Sequence, residues 1–133
     1  MRLFFIMTAA AVIAFLTIQA SGNEPVTQDR ARISFKSVDH DFGTIPTGAE
    51  AKHYFVFTNE GASPLVIMNV RTACGCMVPS WPREPIAPGK RDSLAVEYNT
   101  KIRGTFSKSI TVQSNASTPS VELKISGTVV KTK

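Results

Sequence analysis

Lys52-His53-Tyr54-Phe55-Val56-Phe57-Thr58 decides the architecture. On an extended chain, side chains two apart share a face. Phe55 and Phe57 are therefore expected to turn into a core, with His53 on the same face near the start of the strand. Asn59-Glu60-Gly61-Ala62-Ser63-Pro64 follows and supplies the residues of a turn. The pattern is strand then turn.

The same pattern continues on both sides. Upstream, Ile33 and Phe35 alternate in a short first strand, and Asp41 to Gly48 reads as turn material around a brief extended piece. Downstream, Leu65 to Arg71 is apolar at nearly every position, as a strand buried on both faces would be. Thr72 to Gly89 reads as one long connection. Then Leu94, Val96 and Tyr98 alternate, as do Phe106, Ile110 and Val112 with Lys108 as the exception. Val121, Leu123, Ile125 and Val129 close the series, with Gly127 marking a bulge or a close approach. No window places apolar residues at helical spacing between caps. About seven short strands separated by turns predict an all-β, immunoglobulin-like sandwich over residues 31–133. The two cysteines stand one residue apart and do not flank a tryptophan at a distance, which excludes the disulfide-pinned antibody type.

The chain has 133 residues, 43% hydrophobic and 19% charged, which suits one modest domain. Its formal charge of +5 is spread out and not interleaved with aromatic residues. A nucleic-acid platform needs that interleaving, so nucleic-acid binding is not expected. Met1-Arg2, an apolar run to Ile18 and the small residues Ala20-Ser21-Gly22 make the pattern of a signal peptide over residues 1–20. An uncleaved anchor is the rival reading, and membrane contact would then pass through that segment alone. Residues 21–30 read as a flexible lead-in. Either way the domain is expected to be exported, to the periplasm or beyond the cell.

Five stretches in order resemble a bacterial family called domain of unknown function 1573. They are His40-Asp41-Phe42-Gly43-Thr44-Ile45, Phe55-Val56-Phe57-Thr58-Asn59-Glu60-Gly61, Pro64-Leu65-Val66-Ile67, Thr72-Ala73-Cys74-Gly75-Cys76, and Trp81 through Pro88-Gly89. The resemblance spans roughly residues 33–130. It implies an exported immunoglobulin-like domain, similar in type to the modules of major sperm protein and of cilia-associated proteins. It marks Asp41, Phe42, Gly43, Phe55, Phe57, Asn59, Gly61, Pro64, Trp81, Pro88 and Gly89 as structural motif residues. Met77 stands where the family usually has threonine or a similar residue. The family implies no activity, and a fold alone assigns none.

Little chemistry stands out. Asp39 and Asp41 share one face of an extended segment and His40 takes the other, so a three-fold metal site there is awkward. Turn chemistry, with the short acids bonding nearby N–H groups, accounts for them better. His53 reads as a partly buried edge histidine. Asn115-Ala116-Ser117 is a sequon by spelling only. Nucleophile elbows, zinc-protease helices and phosphate loops are all missing, so no catalytic residue and no cofactor are assigned. Pro79, Pro82, Pro85 and Pro88 recur every third residue, which would align them along one edge of a polyproline helix. They form either a ligand for an aromatic groove or a rigid strap that crosses from one sheet to the other and packs Trp81. Pro88-Gly89 suits a type II turn.

Cys74-Gly75-Cys76-Met77 carries the remaining chemical potential. Three readings stand. The cysteines form a small disulfide, since two residues of extended chain span about 6.6 Å at ~3.3 Å each and a glycine lets them close. They bind a soft ion such as Cu(I), with Met77 as a thioether donor. They pack as inert thiols. Two functions follow: a non-catalytic binding or scaffold module of the cell envelope, for an envelope protein or a glycan, or a metal-handling or thiol-redox protein acting through Cys74 and Cys76.

Overall fold

The computed structural model describes residues 30–132. The leader assigned to residues 1–20, and nearly all of the lead-in, lie outside the described residues. Eight strands follow in order: β1 (Ile33–Phe35), β2 (Asp39–Pro46), β3 (Lys52–Asn59), β4 (Ile67–Thr72), β5 (Met77–Ser80), β6 (Arg91–Tyr98), β7 (Gly104–Ser114) and β8 (Ser120–Val130). They form two four-stranded sheets, ordered β1-β3-β6-β5 and β2-β8-β7-β4. The all-β sandwich stands, with one strand more than the alternation counts.

The core lies where the alternation points. Phe55, Phe57, Leu94, Val96 and Tyr98 of the first sheet meet Phe106, Ile110, Val112, Leu123, Ile125 and Val129 of the second, all buried. Each such side chain contributes about 1.5–3 kcal/mol on leaving water. Tyr98 and Phe106 stack across the sheets, ring centroids 3.7 Å apart. Gly127 is a close approach: a Cβ there would sit 3.0 Å from the Phe106 ring and 3.1 Å from the Gly43 carbonyl oxygen.

Four sequence expectations need correction. Asp41 to Gly48 is mostly strand, not turn: β2 runs parallel to β8 with a register shift between Asp41 and Thr44, and Gly43 at φ +69° makes the bulge. Leu65 to Arg71 is not buried on both faces. β4 is an edge strand paired only with β7, and Met68 is 60% exposed. A register shift between Ile67 and Asn69 puts an extra residue there, so Ile67 and Val70, three apart, both face inward. The long connection contains β5, whose Pro79 is tolerated because β5 is an edge. Finally, the proline strap does not cross between sheets. β5 and β6 are neighbours in one sheet, and the crossing is made earlier, by Ala73 to Cys76. Pro88-Gly89 does make the expected turn, with Gly89 at φ +80° and the Lys90 N–H donating to the Ala87 carbonyl.

Asn59 closes one end of the sandwich. It is fully buried, and all of its side-chain bonding capacity is used. Its Nδ2 donates to the carbonyls of Ser63 (2.8 Å) and Ile86 (2.9 Å). Its Oδ1 accepts from the N–H groups of Arg32 (3.2 Å) and Gly61 (3.0 Å). Leu65 and Ile86 exchange two backbone bonds of 2.8 Å, which pins the strap. Trp81 packs half-buried against the core under the Arg83 guanidinium, 4.0 Å above its ring.

Candidate functional site

The cysteine loop sits at one end, where the chain leaves one sheet for the other. Cys74 and Cys76 are joined as a disulfide, with Cα atoms 5.3 Å apart, inside the usual range for such a bridge. Hydrogen bonds outside the bridge hold both sides of the loop. The Ala73 N–H donates to Ser109 O (3.3 Å), the Thr72 hydroxyl to Cys74 O (3.0 Å), and the Asn99 N–H to Cys76 O (2.9 Å). Both cysteines are half-buried. Beside them opens a cleft of about 630 Å³, lined by Cys76, Gly75, Val78 and the turns at Gly48–Glu50 and Asn99–Lys101. Met77 starts β5 opposite Tyr98 and is buried in the core. Its sulfur thus belongs to the packing of the sandwich.

The two histidines of the chain meet at another place. Asp39 and Asp41 face outward and His40 inward, as alternation requires. Asp41 accepts the Gly43 N–H at 2.8 Å, a local turn bond. His40 on β2 stacks on His53 of β3, centroids 3.7 Å apart and planes within 8°. Phe42 meets His40 edge-on at 4.5 Å, and Phe55 meets His53 edge-on at 4.6 Å. Burial, and next the charge of His40, holds the His53 imidazole below its ordinary value. The pair lines a cleft of about 390 Å³ with Lys36, Ser37, Asp39 and Tyr54 on its rim. Among the described residues no three His, Cys, Asp or Glu side chains come together as a metal site. Sequence reasoning assigned each histidine alone. Nothing in the spacing of positions 40 and 53 signals a contact between two sheets.

This second cleft exists because β1 is short. β1 covers only Phe57 to Asn59 of β3, and Lys36 adds one bond from its N–H to the Val56 carbonyl (2.9 Å). The chain then crosses to the other sheet. On its far side β3 pairs with β6 along its length. The bonds Asn59 N–H to Lys90 O and Tyr98 N–H to Ala51 O show that odd-numbered residues of β3 face β6. Backbone groups alternate along a strand. Lys52 and Tyr54 therefore aim both N–H and C=O at the open side, where no strand among the described residues pairs with them.

Residues 33–129 match the family model described as Protein of unknown function (DUF1573). No curated protein matches the chain. Among solved structures, a protein of unknown function from Porphyromonas gingivalis W83 is similar, with TM-score 0.69, 18% identity, and 81% of this chain and 51% of that chain covered. This chain thus spans about half of that protein. A PapD-like (ASH) domain of human CEP192 is similar over 83% of this chain and 94% of that chain, with TM-score 0.67 and 10% identity. The CsuC–CsuE chaperone–tip adhesion subunit complex of Acinetobacter baumannii is similar over 74% of this chain and 57% of that chain, with TM-score 0.53 and 11% identity. At these identities the likeness shows a fold, a PapD-like immunoglobulin sandwich.

Proposed function

The chain belongs to the DUF1573 family, and we propose that it is an exported, non-catalytic binding module of the bacterial cell envelope that takes an extended segment of a partner protein. The observation that carries this reading is the open half of β3. A strand laid beside Lys52 to Val56 would continue the line of β1 and satisfy the backbone groups of Lys52 and Tyr54. Strand addition draws its affinity from main-chain bonds and its specificity from alternate side chains. Tyr54, 54% exposed, and the histidine cleft offer such contacts. The apolar leader over residues 1–20 supports export.

Tyr54→Pro tests the reading. Proline removes the outward N–H of Tyr54 but leaves the β6 side of the ladder untouched. Envelope extract is passed over wild-type and Tyr54→Pro protein with matched circular dichroism. A partner retained by the wild type and lost by the variant is the expected result. Equal retention, or none by either, overturns strand addition at this edge.

A further inference from the structure

We propose that Cys74–Cys76 is an exchangeable disulfide that accepts two electrons from a pair of thiols on a polypeptide seated in the cleft beside it. The stabilising effect of a cross-link grows with the length of chain it closes. This bridge closes the shortest loop in which two cysteines share a glycine, so it adds little to the fold. The loop also keeps its frame without it. Thr72, Ser109 and Asn99 hold Ala73, Cys74 and Cys76 through bonds that do not involve sulfur. Oxidised and reduced forms can thus share one backbone, as rapid reversible exchange requires.

Access is built in. Gly75 lines the same cleft as Cys76, and no atom beyond its two chain neighbours lies within 4 Å of where its Cβ would stand. Cys76 lines the cleft, and Cys74 does not. The cleft offers Glu50 and Glu97 against the single cation Lys101, a balance that favours a substrate segment carrying lysine or arginine. A substrate thiol that has lost its proton to water attacks Cys76 Sγ. The Cys74–Cys76 bond breaks, and its electron pair leaves on Cys74 Sγ, which takes up a proton. The second substrate thiol, also deprotonated, then attacks the substrate sulfur of the mixed disulfide. Cys76 leaves as a thiolate and is protonated. The substrate becomes a disulfide and the protein a dithiol, two electrons and two protons having moved.

The test uses the purified full chain and a synthetic peptide with two cysteines flanked by lysines, followed by mass. Equimolar oxidised protein should gain two hydrogens as the peptide loses two, and glutathione should reduce the bridge under conditions that leave a structural disulfide intact. Gly75→Leu, which fills the open space without a strained φ, should slow transfer at least tenfold with thermal stability unchanged. With the peptide supplied in its oxidised, disulfide form, the Cys76 thiolate of Cys74→Ser should attack it and trap a mixed disulfide, releasing one peptide thiol, at least tenfold faster than Cys74 does in Cys76→Ser. Replacing the lysines of the peptide with glutamates should slow transfer. Overturning results are a bridge that resists glutathione, no transfer to the protein, equal trapping by both single variants, a Gly75→Leu rate equal to wild type, or indifference to peptide charge.

Discussion

His40 and His53 lie face to face, one ring from each sheet, and each also meets, at a near-right angle, the ring of a phenylalanine two residues along its own strand. Parallel imidazoles at this distance are compatible when at most one is charged. Burial, and then His40, holds His53 below the ordinary value of 6.5. A basic group lowered by folding contributes stability in full above its unfolded value and loses it as pH falls through the folded one. Thermal unfolding followed from about pH 7.5 to about pH 5.5 should show the melting temperature falling. His53→Phe, which keeps a ring and removes the proton site, should flatten that slope. Equal slopes would dismiss the pair as a stability switch.

Asn59 is the least replaceable polar residue. Asn59→Ala leaves the Ser63 carbonyl and the Arg32 and Gly61 N–H groups without that partner, while the Ile86 carbonyl keeps its bond from the Leu65 N–H, and should cost about 3 kcal/mol in chemical denaturation. Asn59→Asp should be no milder at neutral pH, because a carboxylate would face the carbonyls of Ser63 and Ile86. An aspartate variant as stable as wild type would show that the amide is not what holds the strap.

Phe57→Ala removes a fully buried ring that also meets Phe35 at 5.6 Å. A loss of ~3–5 kcal/mol is expected, with the native far-ultraviolet spectrum retained where the variant still folds. A loss below about 1 kcal/mol would be inconsistent with a filled core at this position.

Gly61→Ala tests a backbone contact. A Cβ at Gly61 would run into the main chain of Arg30, Ala31 and Arg32, which cannot swing aside as a side chain can. The expected cost is about 2–3 kcal/mol. Gly75→Ala, with open space around it, should lie within about 0.5 kcal/mol of wild type and serves as the control.

Replacing Cys74 and Cys76 together by serine should lower stability by no more than about 2 kcal/mol, the chain-entropy value for so short a loop. A larger loss would make the bridge a structural staple.

The long strands were legible because they obey one rule. Phe55 and Phe57, Leu94 to Tyr98, Phe106 to Val112 and Val121 to Val129 alternate, and all have the predicted face inward. β2 was hidden because its residues suit a turn as well as a strand, and its partner β8 lies at the other end of the chain. β5 was hidden by its proline, which an edge strand tolerates and a sequence cannot place at an edge. The cysteine loop was legible because its two members are neighbours in sequence. The histidine pair and the open half of β3 were not. Both depend on where the chain changes sheets after Lys36, which no local pattern records.

The parallel pairing of β2 with β8 also dictates when the molecule can fold. β8 lies inside its sheet, with β2 on one side and β7 on the other. It is also the last of the described strands along the sequence. Until Ser120–Val130 has emerged, β2 has no partner, and the inner face of the first sheet has little of the second to cover it. Such non-local pairing is slow because about 85 residues of chain must be closed before contacts reward it. Closure of the second sheet therefore waits for Ser120–Val130. A chain cut before Ser120 would lose the centre of its second sheet and expose two unpaired edges to its neighbours.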